Sequence, residues 1–281
     1  MSSVPLPHFI TLAALALAVP LTPPASAAPA TDAVAPAPAY RYADIVDLAI
    51  KAPMVIDATV RSAVRIKGAE AAAVPPGLAR FYVTVDVVAL IRGADAVPPR
   101  LSYVVDIPLD SQGNVARLKK QRVLLFARPI ATAADQIQLV AANAQLLWSP
   151  TTEAVTRRIA ADVAAPDAPP AITGISNAFH SPGTLPGEGE TQIFLTTSGG
   201  PVSLSISRKQ GNAAVWTVAL SEVVEDSLPP PAHDSFLWYR LACGLPPAIP
   251  GDLLAGLDPR DSASVTEDYA LVLKDLGPCR R

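Results

Sequence analysis

The sequence predicts a mainly β, α+β fold: a small closed or nearly closed antiparallel barrel, followed by an antiparallel β-meander with two C-terminal helices. Three observations carry this. Apolar residues alternate with period two over 80–91 and 101–107, turn-forming residues separate such runs, and a helical period returns after residue 234. With 281 residues and 50% hydrophobic composition, the chain can bury one large or two small cores. Aromatics are only 5%, so Ala, Val, Leu and Ile fill those cores, and 30 prolines forecast many loops.

The first element is an export signal. Phe9 to Val19 is an apolar run, followed by Pro20 and the small-residue step Ala25-Ser26-Ala27. An apolar stretch of this length before an A-x-A step is the pattern of a secretory signal peptide, and it falls short of the roughly 20 residues that span a bilayer. Residues 1–27 are therefore expected to be removed by cleavage after Ala27. Residues 28–39, a Pro/Ala tract without periodicity, read as a flexible leader. No later segment is long and apolar enough to span, so the mature chain is expected to be periplasmic or secreted.

A first domain is expected over 40–164. Ile45, Leu48 and Ala49 share one face of a short helix, Tyr42 to Lys51, which stops before Pro53. Met54 to Ile66 is a β-branched run. Arg80 to Ile91 sets Phe81, Val83, Val85 and Val87 against Tyr82, Thr84, Asp86 and Val88, and Leu101, Tyr103, Val105 and Ile107 alternate again. Val123 to Phe126 is continuously apolar, as a strand covered on both faces is, and Ile137 to Val140 begins a fifth strand. Ser149 caps a helix with Pro150 at its first position, running to about Val163. Pro166, Pro169 and Pro170 then make 165–171 a linker.

The second domain is expected over 172–281. Thr191 to Thr197, Val202 to Ser207 and Ala214 to Val224 are strand patterns separated by Gly-containing turns. Helical patterns follow at Asp234 to Cys243 and Ser264 to Leu276, the latter opened by a capping box of Ser264 and Glu267. Only Cys243 and Cys279 are present, beside the ends of these two helices. In an exported chain they read as a disulfide, worth at most about 4 kcal/mol on a loop-entropy model. A catalytic or metal-binding cysteine is disfavoured by the lack of a C-x-x-C step.

Two resemblances accompany this reading. The runs Val55 to Val60, Val83 to Gly93 and Gln121 to Phe126, with the Leu90-Ile91-Arg92-Gly93 step, resemble the OB-fold barrels of the netrin/TIMP-like class over 42–148. The resemblance implies a fold and no activity, because the N-terminal cysteines of the animal members are missing. Gly187 to Leu195 and Leu237 to Cys243 resemble exported bacterial proteins of no established function.

Familiar catalytic signatures are missing: no G-x-S-x-G elbow, H-E-x-x-H helix or phosphate-binding Walker loop occurs. The most suggestive cluster is His180, Glu188 and Glu190, with prolines and glycines turning the chain between them. Imidazole and carboxylates brought together suit proton transfer or cation binding. The alternative is a set of solvated charges beside a hairpin. His233-Asp234-Ser235 holds triad residue types, but consecutive residues cannot face one another, and a helix cap explains them. Arg117, Lys119, Lys120 and Arg122 form a basic run that suits phosphate, and barrels of this kind stack bases on aromatics such as Phe81, Tyr82 and Tyr103; the alternative is a charged hairpin that protects a strand edge. The near balance of 22 Lys and Arg against 25 Asp and Glu argues against nucleic acid. Trp148, Trp216 and Trp238 are expected to anchor cores.

The expected function is a non-catalytic exported binding or envelope-associated protein with an unidentified protein or envelope partner and with no cofactor or metal. The alternative is a metal-dependent or carboxylate/His hydrolase using the 180–190 loop. The binding reading requires an exposed apolar or aromatic patch. The enzyme reading requires His180 to meet Glu188 or Glu190 in a concave site.

Overall fold

The computed structural model describes Met1 and residues 40–93, 96–221 and 227–279. The expected signal segment 1–27 and the expected leader 28–39 lie outside the described residues, apart from Met1. Among the described residues no helix is long and apolar enough to cross a membrane.

The first half is α1 (Tyr42–Lys51), β1 (Met54–Arg65), β2 (Leu78–Arg92), β3 (Arg100–Pro108), β4 (Arg122–Ile130), β5 (Ala133–Leu139), β6 (Gln145–Leu147) and α2 (Pro150–Ala164). The sheet order is β1-β2-β3-β5-β4-β6, and β1 also pairs with β4, which closes a five-stranded barrel compatible with an OB-like fold. Closure follows from the length and bulging of β1. Twelve residues allow it to pair with β2 along its length and with β4 at Met54–Thr59, and three register shifts against β2 bend it. Of the alternating apolar positions in the sequence, Phe81, Val83, Val85, Leu101, Tyr103 and Val105 are buried, and Val87 and Ile107 are half-buried. Burial also pushes the Tyr103 hydroxyl well above the ordinary tyrosine range. β6 is too short to show periodicity and escapes sequence reading.

Helix α2 begins as its sequence dictates: the Ser149 hydroxyl accepts from Thr152 N–H (3.0 Å), with Pro150 next. The 165–171 segment is coil, and across it a single hydrophobic cluster joins α1, Leu124 and Phe126 to the second sheet through residues such as Trp238 and Ile193.

The second half is β7 (Ile172–Pro182), β8 (Gly189–Thr197), β9 (Val202–Arg208), β10 (Val215–Ala219), α3 (Phe236–Gly244), α4 (Gly251–Leu254) and α5 (Pro259–Leu276). The meander is four-stranded and antiparallel, in the order β10-β9-β8-β7. β7 is an addition to the sequence reading. Two bulges, at Ile172/Gly174 and Ile175/Asn177, space its buried residues Ile172, Ile175 and Ala178 by three, and this erases the alternation that reveals a strand. The strand expected over Ala214 to Val224 is shorter. It ends at Ala219, and Val218 then bridges to Leu228.

The start of α5 corrects a sequence expectation. The helix begins at Pro259, and Asp258 caps it by accepting from Arg260 N–H (2.9 Å), so Ser264 and Glu267 are interior and form no capping box. Asp258-Pro259 repeats the Ser149-Pro150 start of α2, and this local start prevails over the Ser-x-x-Glu spacing of Ser264 and Glu267. Helix α3 is capped by Ser235, whose hydroxyl accepts from Trp238 N–H (3.2 Å). Cys243, in α3, and Cys279, just after α5, form a disulfide with Cα atoms 4.9 Å apart. The α5 end is also held by Trp238 Nε1–H to the Leu276 carbonyl (2.8 Å) and Trp216 Nε1–H to Asp275 (2.7 Å).

Candidate functional site

His180 lies near the end of β7, opposite Thr191 of β8. Its Nδ1 is 2.9 Å from Thr191 Oγ1, which donates to Asp268 Oδ2 at 2.5 Å. Asp268, on α5, accepts from Arg208 Nε on β9 at 2.5 Å, and Arg208 also reaches Glu267 at 3.2 Å. Thr191 and Asp268 are fully buried. The hydroxyl has one proton and gives it to the carboxylate, so His180 must donate from Nδ1, which leaves Nε2 without that proton in the neutral ring. The ring lies against Gly189, where an added Cβ would sit 2.6 Å from Nε2. A glycine is required at that position for this imidazole orientation.

The imidazole opens onto a cleft of about 440 Å³ lined also by Glu188, Arg208, Asp258, Arg260 and Glu267. Glu188 precedes β8, and its Oε1 accepts from the Gln210 N–H (3.2 Å). Glu190 pairs with Ser181 and Ser207, is exposed, and accepts from Gln192 Nε2 (3.2 Å). Buried Thr191, next after Glu190, faces Asp268 of α5, so period two sends Glu190 to the other face of the sheet. The structure therefore brings His180 and Glu188 to one cleft and places Glu190 outside it. Among the described residues no hydrogen bond joins His180 to either glutamate. No group of three or more His, Cys, Asp or Glu is arranged to hold a metal ion among those residues.

A second surface lies on the outside of the barrel. Val64, Tyr82 and Val104 are register partners across β1, β2 and β3, and they are 62%, 38% and 47% exposed. On one side Arg80 holds Asp106 through Nε (2.8 Å) and Nη2 (2.9 Å), and the ion pair keeps the Asp106 carboxyl below its ordinary range. On the other, Asp86 is shared by Arg61 (3.4 Å) and Arg100 (3.3 Å). A groove of about 450 Å³ continues from Tyr82 and Val104 toward Gln136 and Gln138 of β5. An apolar centre with a charged rim is the anatomy of an interaction surface. The alternation over 80–91 sets Tyr82 opposite Phe81, but the row is not legible in the sequence, because nothing in it states the register that aligns Val64 with Val104.

Two further sequence candidates, Arg122 and His233, have structural roles. Arg122 donates to Asp57 and stacks 3.9 Å from the Trp148 ring centre, so it is withdrawn from the basic run. His233 packs against Trp238, with ring centres 5.3 Å apart. Compared with family models and with curated proteins, the chain matches none.

Proposed function

We propose that this is a non-catalytic, exported binding protein that associates with the cell envelope through the outer face of β1, β2 and β3. The observation that carries the reading is the exposed Val64, Tyr82 and Val104 row, because three apolar side chains aligned across adjacent strands and left in water favour association with another surface. The apolar run and Ala25-Ser26-Ala27 step supply export, and the Cys243–Cys279 disulfide suits an oxidising compartment. The netrin/TIMP-like resemblance adds only a barrel to this reading. The hydrolase alternative is weakened by the committed partners of His180, Thr191 and Asp268, which form a clamp between α5 and the sheet.

Fractionation in the native host tests the reading. The protein is expected in the envelope fraction, and Tyr82→Ser with Val104→Ser is expected to release it to the soluble fraction, while His180→Ala leaves it bound. Retention of the double variant, or its loss with His180→Ala alone, contradicts the assignment.

A further inference from the structure

The near balance of charge over the whole chain conceals a division. Residues 40–148 carry 13 Lys and Arg against 9 Asp and Glu, whereas residues 149–281 carry 9 against 15. The barrel surplus gathers at one place. Arg117, Lys119 and Lys120, all exposed, lie on the connection between β3 and β4, and none has a side-chain ion pair or hydrogen bond among the described residues. Lys120 N–H donates to the Val60 carbonyl (2.8 Å), which sets the turn beside Arg61 of β1. Arg61 and Arg100 share the single carboxylate of Asp86, and Asp110 of the same connection is occupied by the backbone N–H groups of Gln112 and Asn114.

Lys120 also has φ +73°, a left-handed backbone that an L side chain adopts at a cost and glycine adopts freely. Lys120 thus puts a cation where folding alone favours glycine. The exposed Val64, Tyr82 and Val104 row begins on β1, where Val64 lies three residues from Arg61 and four from Val60, the partner of Lys120.

We propose that this end of the barrel docks on an anionic lipid bilayer surface, with Arg117, Lys119, Lys120 and Arg61 against the headgroups and the Tyr82 ring at the interface. The proposal rests on the envelope-binding reading and names its partner. Clustered cations gain from an anionic leaflet, and an amphipathic aromatic is favoured at headgroup depth. Unsatisfied positive charge beside an exposed apolar row complements that surface on both counts.

The test is flotation of the exported protein, purified from its host, with vesicles of phosphatidylcholine alone or mixed with phosphatidylglycerol. Binding is expected only to the mixed vesicles and is expected to weaken as salt rises. Replacing Arg117, Lys119 and Lys120 with Ser is expected to lower the affinity on the order of a hundredfold, whereas Lys209→Ser, in the turn after β9, leaves it unchanged. Lys120→Gly separates binding from folding: it is expected to raise the melting temperature while weakening binding about fivefold. No binding to mixed vesicles, salt-independent binding, or an equal loss with Lys209→Ser overturns the proposal. If vesicles fail while Tyr82 and Val104 still govern envelope retention, the lipid assignment falls and the binding reading stands. If both fail, both fall.

Discussion

Arg122 grips Asp57 with two nitrogens, Nε at 2.9 Å and Nη2 at 2.5 Å, and the Asp57 side chain is fully buried while that of Arg122 is 34% exposed. The pair joins β1 to β4 where the barrel closes, and Glu153 of α2 adds a weaker contact at 3.5 Å. Glu153 also accepts from Trp148 Nε1–H (2.7 Å), and that bond, with Arg157, holds its carboxyl below the ordinary range. The exposures make the pair asymmetric. Arg122→Leu strands a buried carboxylate and is expected to cost about 3–5 kcal/mol. Asp57→Ala leaves a guanidinium that water and Glu153 still reach, so a smaller loss is expected. Urea unfolding of both variants checks the order.

The cap of α5 gives a second comparison. Asp258→Ala is expected to cost about 1 kcal/mol through loss of the Arg260 N–H partner, and Ser264→Ala is expected to be near neutral. The opposite ranking in thermal unfolding would restore the Ser264 and Glu267 cap.

Close packing at the cleft predicts a coupling between neighbours. Gly189→Ala drives a Cβ to 2.5 Å from His180 Cε1, so it is expected to destabilise the native protein. In a His180→Ala background the same change is expected to cost much less, and a double-mutant cycle measures the difference.

Alkaline stability reports on Tyr42. Burial, with the charges of Asp162 and Asp234, raises its hydroxyl from 10.0 to about 12, with Arg158 opposing. The folded chain keeps this proton after the unfolded chain has lost it. The stabilisation is therefore complete below pH 10 and declines between pH 10 and 12, at up to about 1.4 kcal/mol per pH unit. Tyr42→Phe is expected to remove that share of the slope, measured by unfolding at stepped pH. Because the hydroxyl has no hydrogen-bond partner among the described residues, Phe is expected to cost little at pH 7.

Intact-mass and N-terminal analysis of the protein from its host tests the export step. A chain beginning at Ala28 with Cys243 and Cys279 oxidised is expected. A chain that retains residues 1–27 and both free thiols contradicts export.

What sequence reveals here depends on whether the physical signal is local. β2 was legible because Phe81, Val83 and Val85 alternate with outward residues, and α2 because Ser149-Pro150 encodes its own start. β7 was hidden because its bulges replaced alternation with a spacing of three. The His180 partners were hidden for another reason: Thr191 and Asp268 are 77 positions apart and meet only when α5 packs on the sheet. Glu188 and Glu190 have the same parity, and a strand spanning both would put them on one side. β8 begins at Gly189, so Glu188 lines the cleft and Glu190 faces away.

The central claim, that the outer face of β1 to β3 meets the envelope, is tested most directly by a photo-activated crosslinker placed at position 82 in living cells and, as a control, at position 205 on the second sheet. The account predicts that irradiation fixes the position-82 protein to envelope lipid and leaves the position-205 protein free. Equal labelling at both positions, or none at position 82, would contradict it.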